Sequence, residues 1–159
     1  MKLRNRIVIA AGAQAIWPYI ADPIQVSRWN PKLVSIDRDR EGPVRDSERY
    51  RVIFQMRGKE RESEVVVVSQ RPYSHLHIQY YEDLMNREQY VEETYDLQPV
   101  RDGTRLTQVI DMGRVKMPLL LRWLGQLILW FGKPVGPTHL EQLRQLVEGD
   151  LNAEPQGDV

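Results

Sequence analysis

The sequence predicts an α+β fold built as a single domain, and three observations carry that prediction. From Glu48 to Met112, apolar and polar residues alternate in five runs separated by short turn signals. That is the pattern of an antiparallel meander. On either side of this region the apolar spacing becomes helical. The length of 159 residues suffices for one real core and is too short for two.

The elements follow in order. Arg4 to Ala10 is rich in β-branched residues and reads as a first strand. The basic start and short apolar run of "MKLRNRIVIAAGAQAIW" have the outline of a signal peptide. The apolar run from Ile7 to Ala13 is barely long enough for one and is followed directly by Gln14, so a strand entering a helix is the better reading. Ala13 to Asp22 has helical spacing, with Ile16, Trp17 and Ile20 on one side. Pro23 ends or redirects that helix, and "PIQVSRW" forms a second short one. Pro31 then biases Asn30 away from the helical region.

Leu33 to Asp39 reads as a strand closed by Gly42-Pro43. The five strands of the meander are Glu48 to Met56, Glu62 to Ser69, His75 to Tyr81, Arg87 to Leu97 and Thr104 to Met112. Asp102-Gly103 between the last two is a hairpin signal. Two helical pieces follow, Leu119 to Phe131 and a second that starts at the capping box Thr138-His139-Leu140-Glu141. Leu140, Leu143, Leu146 and Val147 give the second piece an apolar stripe, and Gly149 is its expected stop. Residues 1–149 are thus one domain, and residues 150–159 a polar tail expected to be disordered.

Composition excludes several function classes. Lys plus Arg and Asp plus Glu number 22 each, so the chain lacks the net basic charge of a typical nucleic-acid binder. It has no cysteine, hence no thiol nucleophile, thiolate metal site or disulfide, which is compatible with a cytoplasmic location. No Gly-rich phosphate loop is present, so no nucleotide cofactor is expected. Six serines and three histidines form no triad pattern. His75 and His77 share a strand face, but no third ligand is near, and a solvated pair is the expectation rather than a metal site. Alternation in Glu60, Glu62 and Glu64 reads as a solvated strand edge rather than a glycosidase pair.

The stretch from Val115 to Lys133, "VKMPLLLRWLGQLILWFGK", is the most apolar in the chain. A spanning helix needs about 20 apolar residues for roughly 30 Å of hydrocarbon. Met117 to Phe131 would cover only about 22 Å at helical rise. Arg122 and Gln126 interrupt it on one face, so a transmembrane helix is rejected. A helix apolar on most sides must be buried on most sides. Its surplus apolar side chains would line a cavity, enter a lipid headgroup layer or meet a partner subunit.

The order of these elements resembles the START-like superfamily, also called the helix-grip or polyketide cyclase/dehydrase-like group. The resemblance covers Met1 to Glu148. It rests on Trp17, Asp22-Pro23, Trp29-Asn30-Pro31, the turn from Gly103 to Thr107 and the C-terminal leucine pattern "LEQLRQLVE". It implies a curved antiparallel sheet wrapped around a long C-terminal helix, with two short helices after the first strand. Pro134 and Pro137 in "GKPVGP" would kink or split that helix. It also implies an apolar cavity between sheet and helix that binds lipids, sterols, polyketides, quinones or plant hormones. The group has no universal catalytic set, so no catalytic residue is carried over.

On that reading, strand parity assigns the cavity face. It takes Tyr50, Val52, Phe54 and Met56, then Val65 and Val67, then Leu76, Ile78 and Tyr80. Tyr95 and Ile110 follow, and Glu93 and Gln108 share their parity, so both polar side chains are expected to point inward. Arg122 and Trp123 would join from the helix. A buried Glu93 could orient a ligand or act as an acid or base, against the plainer expectation of a pair with Arg122 or a place in water at the cavity mouth. The leading functional expectation is a carrier or sensor of a lipid, isoprenoid or polyketide-like molecule, entering by motion near Gly132 to Gly136. A cyclase-like enzyme would draw on Tyr50, Glu93, Gln108 and Arg122. A membrane-surface module would insert Leu119 to Phe131, with Lys116, Arg122 and Lys133 near anionic headgroups.

Overall fold

The computed structural model describes residues 1–56, 58–116 and 138–153, with the Met56 side chain excepted. Their architecture is a seven-stranded antiparallel sheet with three helices. The strands are β1 (Lys2–Ile9), β2 (Leu33–Asp37), β3 (Arg49–Met56), β4 (Lys59–Arg71), β5 (His75–Tyr81), β6 (Val91–Val100) and β7 (Gly103–Asp111). The helices are α1 (Ala13–Ala21), α2 (Pro23–Trp29) and α3 (His139–Ala153). Spatial order is β1-β7-β6-β5-β4-β3-β2. The chain therefore runs as a meander from β2 to β7, and β1 closes against the last strand.

Local chemistry accounts for the element boundaries. Asp22 ends α1 and caps α2, its side chain accepting from the Ile24 N–H at 3.0 Å. Pro23 is the first residue of α2, where a missing N–H costs nothing. The Trp29 indole N–H donates to the Tyr19 carbonyl at 2.8 Å, which ties the two short helices together. The capping box of α3 is present, with Thr138 N–H donating to Glu141 and Glu141 N–H to the Thr138 hydroxyl.

Several element ends shift from expectation, β4 starting at Lys59 rather than Glu62 among them, and two shifts have a visible cause. β6 begins at Val91, not Arg87. The residues before it are held in local turns, with Met85 N–H on the Asp83 carboxylate, Asn86 N–H on the Asp83 carbonyl and Gln89 N–H on the Asn86 carbonyl. Such bonds compete with a ladder. α3 does not stop at Gly149 but continues to Ala153. Asp150 is held there by the Tyr19 hydroxyl at 2.6 Å and by Arg28 at 3.1 Å, contacts that no local rule supplies.

One core joins all layers. Ile9, Ile16, Val65, Val67, Leu76, Leu106, Leu143 and Val147 are almost wholly buried within it. Each such aliphatic side chain contributes about 2 kcal/mol when fully buried. α3 packs on β1, α1 and α2, presenting Leu140, Leu143 and Val147 inward. Trp17 and Trp29 are both core residues.

Residues 117–137 carry the expectations for a helix from Leu119 to Phe131, for membrane insertion, for the kink at "GKPVGP" and for Arg122 and Trp123. All of these lie outside the described residues. Among the described residues, no helix is long and apolar enough to cross a membrane.

Candidate functional site

Register places the inward-facing residues in one continuous surface. Tyr50 pairs with Val65, Val65 with Tyr80, Val67 with Ile78, Leu76 with Tyr95, Ile78 with Glu93 and Tyr95 with Gln108. Because side chains alternate along each strand, these residues all face the same side of the sheet. A bulge between Val67 and Ser69 shifts β4 by one residue, so that Gln70 rather than Ser69 pairs with Leu76.

A cavity lies between this surface and the short helices. From the sheet it is lined by Tyr50, Val52, Phe54, Val65, Leu76, Ile78, Tyr80, Glu93 and Tyr95. From the opposite side come Ile20, Ala21, Pro23, Val26 and Asn30, with Leu33 and Val44. The enclosed space is about 30 Å³, enough for a water molecule or two. The other expected cavity residues sit elsewhere on the same face. Val67 is fully buried in the core, Gln108 is buried behind Glu93, and Ile110 is half-buried beside Leu3. The Met56 side chain, Arg122 and Trp123 are outside the described residues.

Among the described residues, Glu93 is the one charged residue of the lining. It is 8% exposed and is surrounded by donors. The Tyr95 hydroxyl and Gln108 Nε2 each donate to its Oε1 at 2.6 Å, and the Tyr80 hydroxyl donates to its Oε2 at 2.8 Å. Bonds this short are typical of a charged acceptor. Gln108 Nε2 also reaches the Tyr95 hydroxyl at 3.2 Å, and Asn5 donates to Gln108 Oε1 at 3.1 Å. Glu93 is therefore neither at the cavity mouth in water nor left without partners; strands β5, β6 and β7 each supply one.

Burial, and then the nearby Glu93 carboxylate, push the hydroxyls of Tyr80 and Tyr95 well above the ordinary tyrosine pKa. Both remain protonated donors at any physiological pH. Burial also raises the Tyr50 hydroxyl, with Arg38 opposing. His139, at the start of α3, is depressed by burial and by Lys32, with Glu93 pulling the other way.

A second polar element went unread in the sequence. Arg38 is almost wholly buried, bonded to Glu48 Oε1 and to the Gly42 carbonyl at 2.6 Å each, and stacked 5.7 Å from the Tyr50 ring centroid. It supports Tyr50 from behind the cavity wall. Nothing in the spacing of "DRDREGP" separates this buried arginine from its neighbours. The α1–α2 lining was legible only in part: Ile20 belonged to a helical stripe, whereas Pro23, Val26 and Asn30 gave no periodic signal.

His75 and His77 face away from the cavity, as parity requires. They are not simply solvated: His75 Nδ1 is 2.7 Å from Asp96 and His77 Nε2 is 3.5 Å from Glu92. No group of three or more candidate metal ligands occurs among the described residues. Two of the three alternating glutamates are paired, Glu64 with Arg49 and Arg87 and Glu62 with Arg51.

Comparison with known proteins gives three findings. The family described as "Polyketide cyclase / dehydrase and lipid transport" matches residues 1–148. No curated protein matches the sequence. Solved structures share the fold at low identity. Protein MLL2253 from Mesorhizobium loti superimposes with a TM-score of 0.65 at 15% identity, covering 94% of this chain and 98% of that one. Protein CV1439 from Chromobacterium violaceum does so with a TM-score of 0.65 at 19% identity, covering 92% and 96%. A protein from Rhodobacter sphaeroides gives a TM-score of 0.65 at 18% identity, covering 96% and 93%.

Proposed function

Since the chain belongs to the polyketide cyclase/dehydrase and lipid transport family, we propose that it binds a hydrophobic small molecule, lipid, isoprenoid or polyketide-like, as a carrier or sensor. The observation that carries this reading is the composition of the cavity wall. Aliphatic and aromatic side chains dominate it, and a single carboxylate with its tyrosine partners is gathered at one place. That is the make-up of a site that gains affinity from apolar burial and orientation from a few polar atoms. Apolar ligand surface buried there contributes about 25 cal/mol per Å².

The space among the described residues is about 30 Å³, so in this reading a larger ligand is admitted by opening of the wall. The natural partition is between the sheet, a continuous hydrogen-bonded ladder, and the short helices α1 and α2, which meet it through side chains. Native mass spectrometry of the purified protein, with solvent extraction of whatever is bound, tests the reading. A reproducible lipid-like mass supports it. Failure of any apolar ligand to bind in titration removes it.

A second reading, a cyclase- or dehydrase-like enzyme, is favoured by the Glu93 cluster. The Glu93 carboxylate could take a proton from a ketide carbon while the Tyr50 hydroxyl, also on the cavity wall, donates to the developing enolate. Of the set expected for this, Glu93 and Gln108 are in the cluster and Tyr50 is elsewhere on the cavity wall. Turnover of a β-hydroxy ketone that is lost in Glu93→Gln would support it over a carrier role.

A further inference from the structure

The polar cluster at the cavity has used up its donors. The Tyr80 and Tyr95 hydroxyl protons go to Glu93. Both N–H groups of the Gln108 amide are taken, by Glu93 and by the Tyr95 oxygen, and its carbonyl accepts from Asn5. What remains is acceptor capacity. Glu93 Oε2 takes one bond where a carboxylate oxygen takes two, and the Tyr80 hydroxyl oxygen has lone pairs to offer. Both atoms belong to residues that line the cavity. Among the described residues, Glu93 forms no salt bridge.

We propose that the cavity selects ligands that present a hydrogen-bond donor, a hydroxyl or a protonated amine on an apolar body, to Glu93 Oε2, over ligands that present an anion there. The inference rests on the hydrophobic-ligand reading and sharpens it. A donor head group completes the unused lone pairs. Placed at this cluster, a carboxylate head group would meet no unused donor among the cluster's own groups and would face another carboxylate, where low dielectric magnifies the repulsion. The tyrosines cannot rearrange to help an anion without withdrawing a donor from Glu93.

The test is competitive displacement of an apolar fluorescent probe by ligands that differ only in head group: alcohol, amine, carboxylate and methyl ester, each on a straight decyl chain and on a fused decalin frame. Alcohol or amine should bind about tenfold or more tighter than carboxylate. Amine above alcohol would identify a cationic ligand, and parity between them a neutral one. Glu93→Gln replaces an acceptor with an amide and should erase most of the gap. Should that variant fail to fold, Tyr80→Phe carries the test. It frees a further lone pair on Oε2, so the donor preference should persist or grow. Carboxylate binding as tightly as alcohol, or a preference unchanged in Glu93→Gln or lost in Tyr80→Phe, overturns the inference and leaves the hydrophobic-ligand reading standing. If no head group on either frame displaces the probe, that reading falls and the inference with it.

Discussion

Gln108 Nε2 donates to Glu93 Oε1 at 2.6 Å, from β7 to β6 within the buried face of the sheet. The same amide is bonded to Tyr95 and, through its carbonyl, to Asn5 on β1. It is therefore the central link between the Glu93 carboxylate and the strand that closes the sheet. Replacing it with leucine keeps the volume and removes every one of these bonds. Gln108→Leu should lose about 2 kcal/mol of stability, because a buried carboxylate is left one donor short. Urea unfolding reads this as a lowered midpoint with an unchanged slope. A midpoint equal to the parent protein's would show the network to be energetically idle.

Gly103 opens β7 with φ +138, in a region that L side chains avoid. A Cβ there would also collide with the Ile9 carbonyl oxygen at the end of β1. The close approach is fixed from both sides, since Ile9 pairs with Thr104 and the Thr104 hydroxyl is bonded to the Ala11 carbonyl. Gly103→Ala should cost about 2 kcal/mol or more, well beyond an ordinary surface substitution. A thermal midpoint within experimental error of the parent would contradict the close packing of the hairpin on β1.

Stability should depend on pH through His139. Burial first, then the Lys32 charge, hold its imidazole below the ordinary value of about 6.5, with Glu93 opposing. The unfolded chain then binds the proton more readily than the folded one, so stability rises with pH across this interval. The contribution is complete above about pH 6.5 and is lost as the pH falls through the folded-state value. His139→Asn should flatten that part of the stability profile. Glu48 acts in a separate, more acidic interval. Burial pushes its carboxyl up, but the Arg38 hydrogen bond, the Arg45 N–H and the neighbouring guanidinium charges outweigh it. An unaltered slope just below about pH 6.5 in the His139 variant would remove the assignment.

The last turn of α3 depends on Tyr19. Its hydroxyl donates to Asp150 at 2.6 Å, beside the Arg28 ion pair. Tyr19→Phe should leave global stability nearly unchanged while amides from Gly149 to Ala153 exchange several-fold faster, at about the cost of one surface hydrogen bond. Equal exchange in the two proteins would mean that the turn is held by the helix alone.

The sheet and the identity of its inner face were determined by the sequence itself. Alternation is a local property, and each strand from β3 to β7 carries its own parity, so Tyr50, Val65, Ile78, Glu93 and Gln108 could be placed on one side without knowing any partner. The START-like resemblance was likewise legible in the order of Trp17, Asp22-Pro23, Trp29-Asn30-Pro31 and the C-terminal leucines. What only the tertiary structure decided is which of those side chains meet. Parity says that Tyr80, Tyr95 and Gln108 face inward; it is the register of β5, β6 and β7 that brings all three onto one carboxylate. The second wall of the cavity is a long-range fact of the same kind, since Val26 and Asn30 touch it through the docking of α2. So is the run of α3 past Gly149, stabilised by Tyr19 and Arg28 from the other end of the chain. Periodicity is encoded residue by residue, whereas a hydrogen bond between distant segments depends on how whole elements pack, and that packing is not visible in either segment alone.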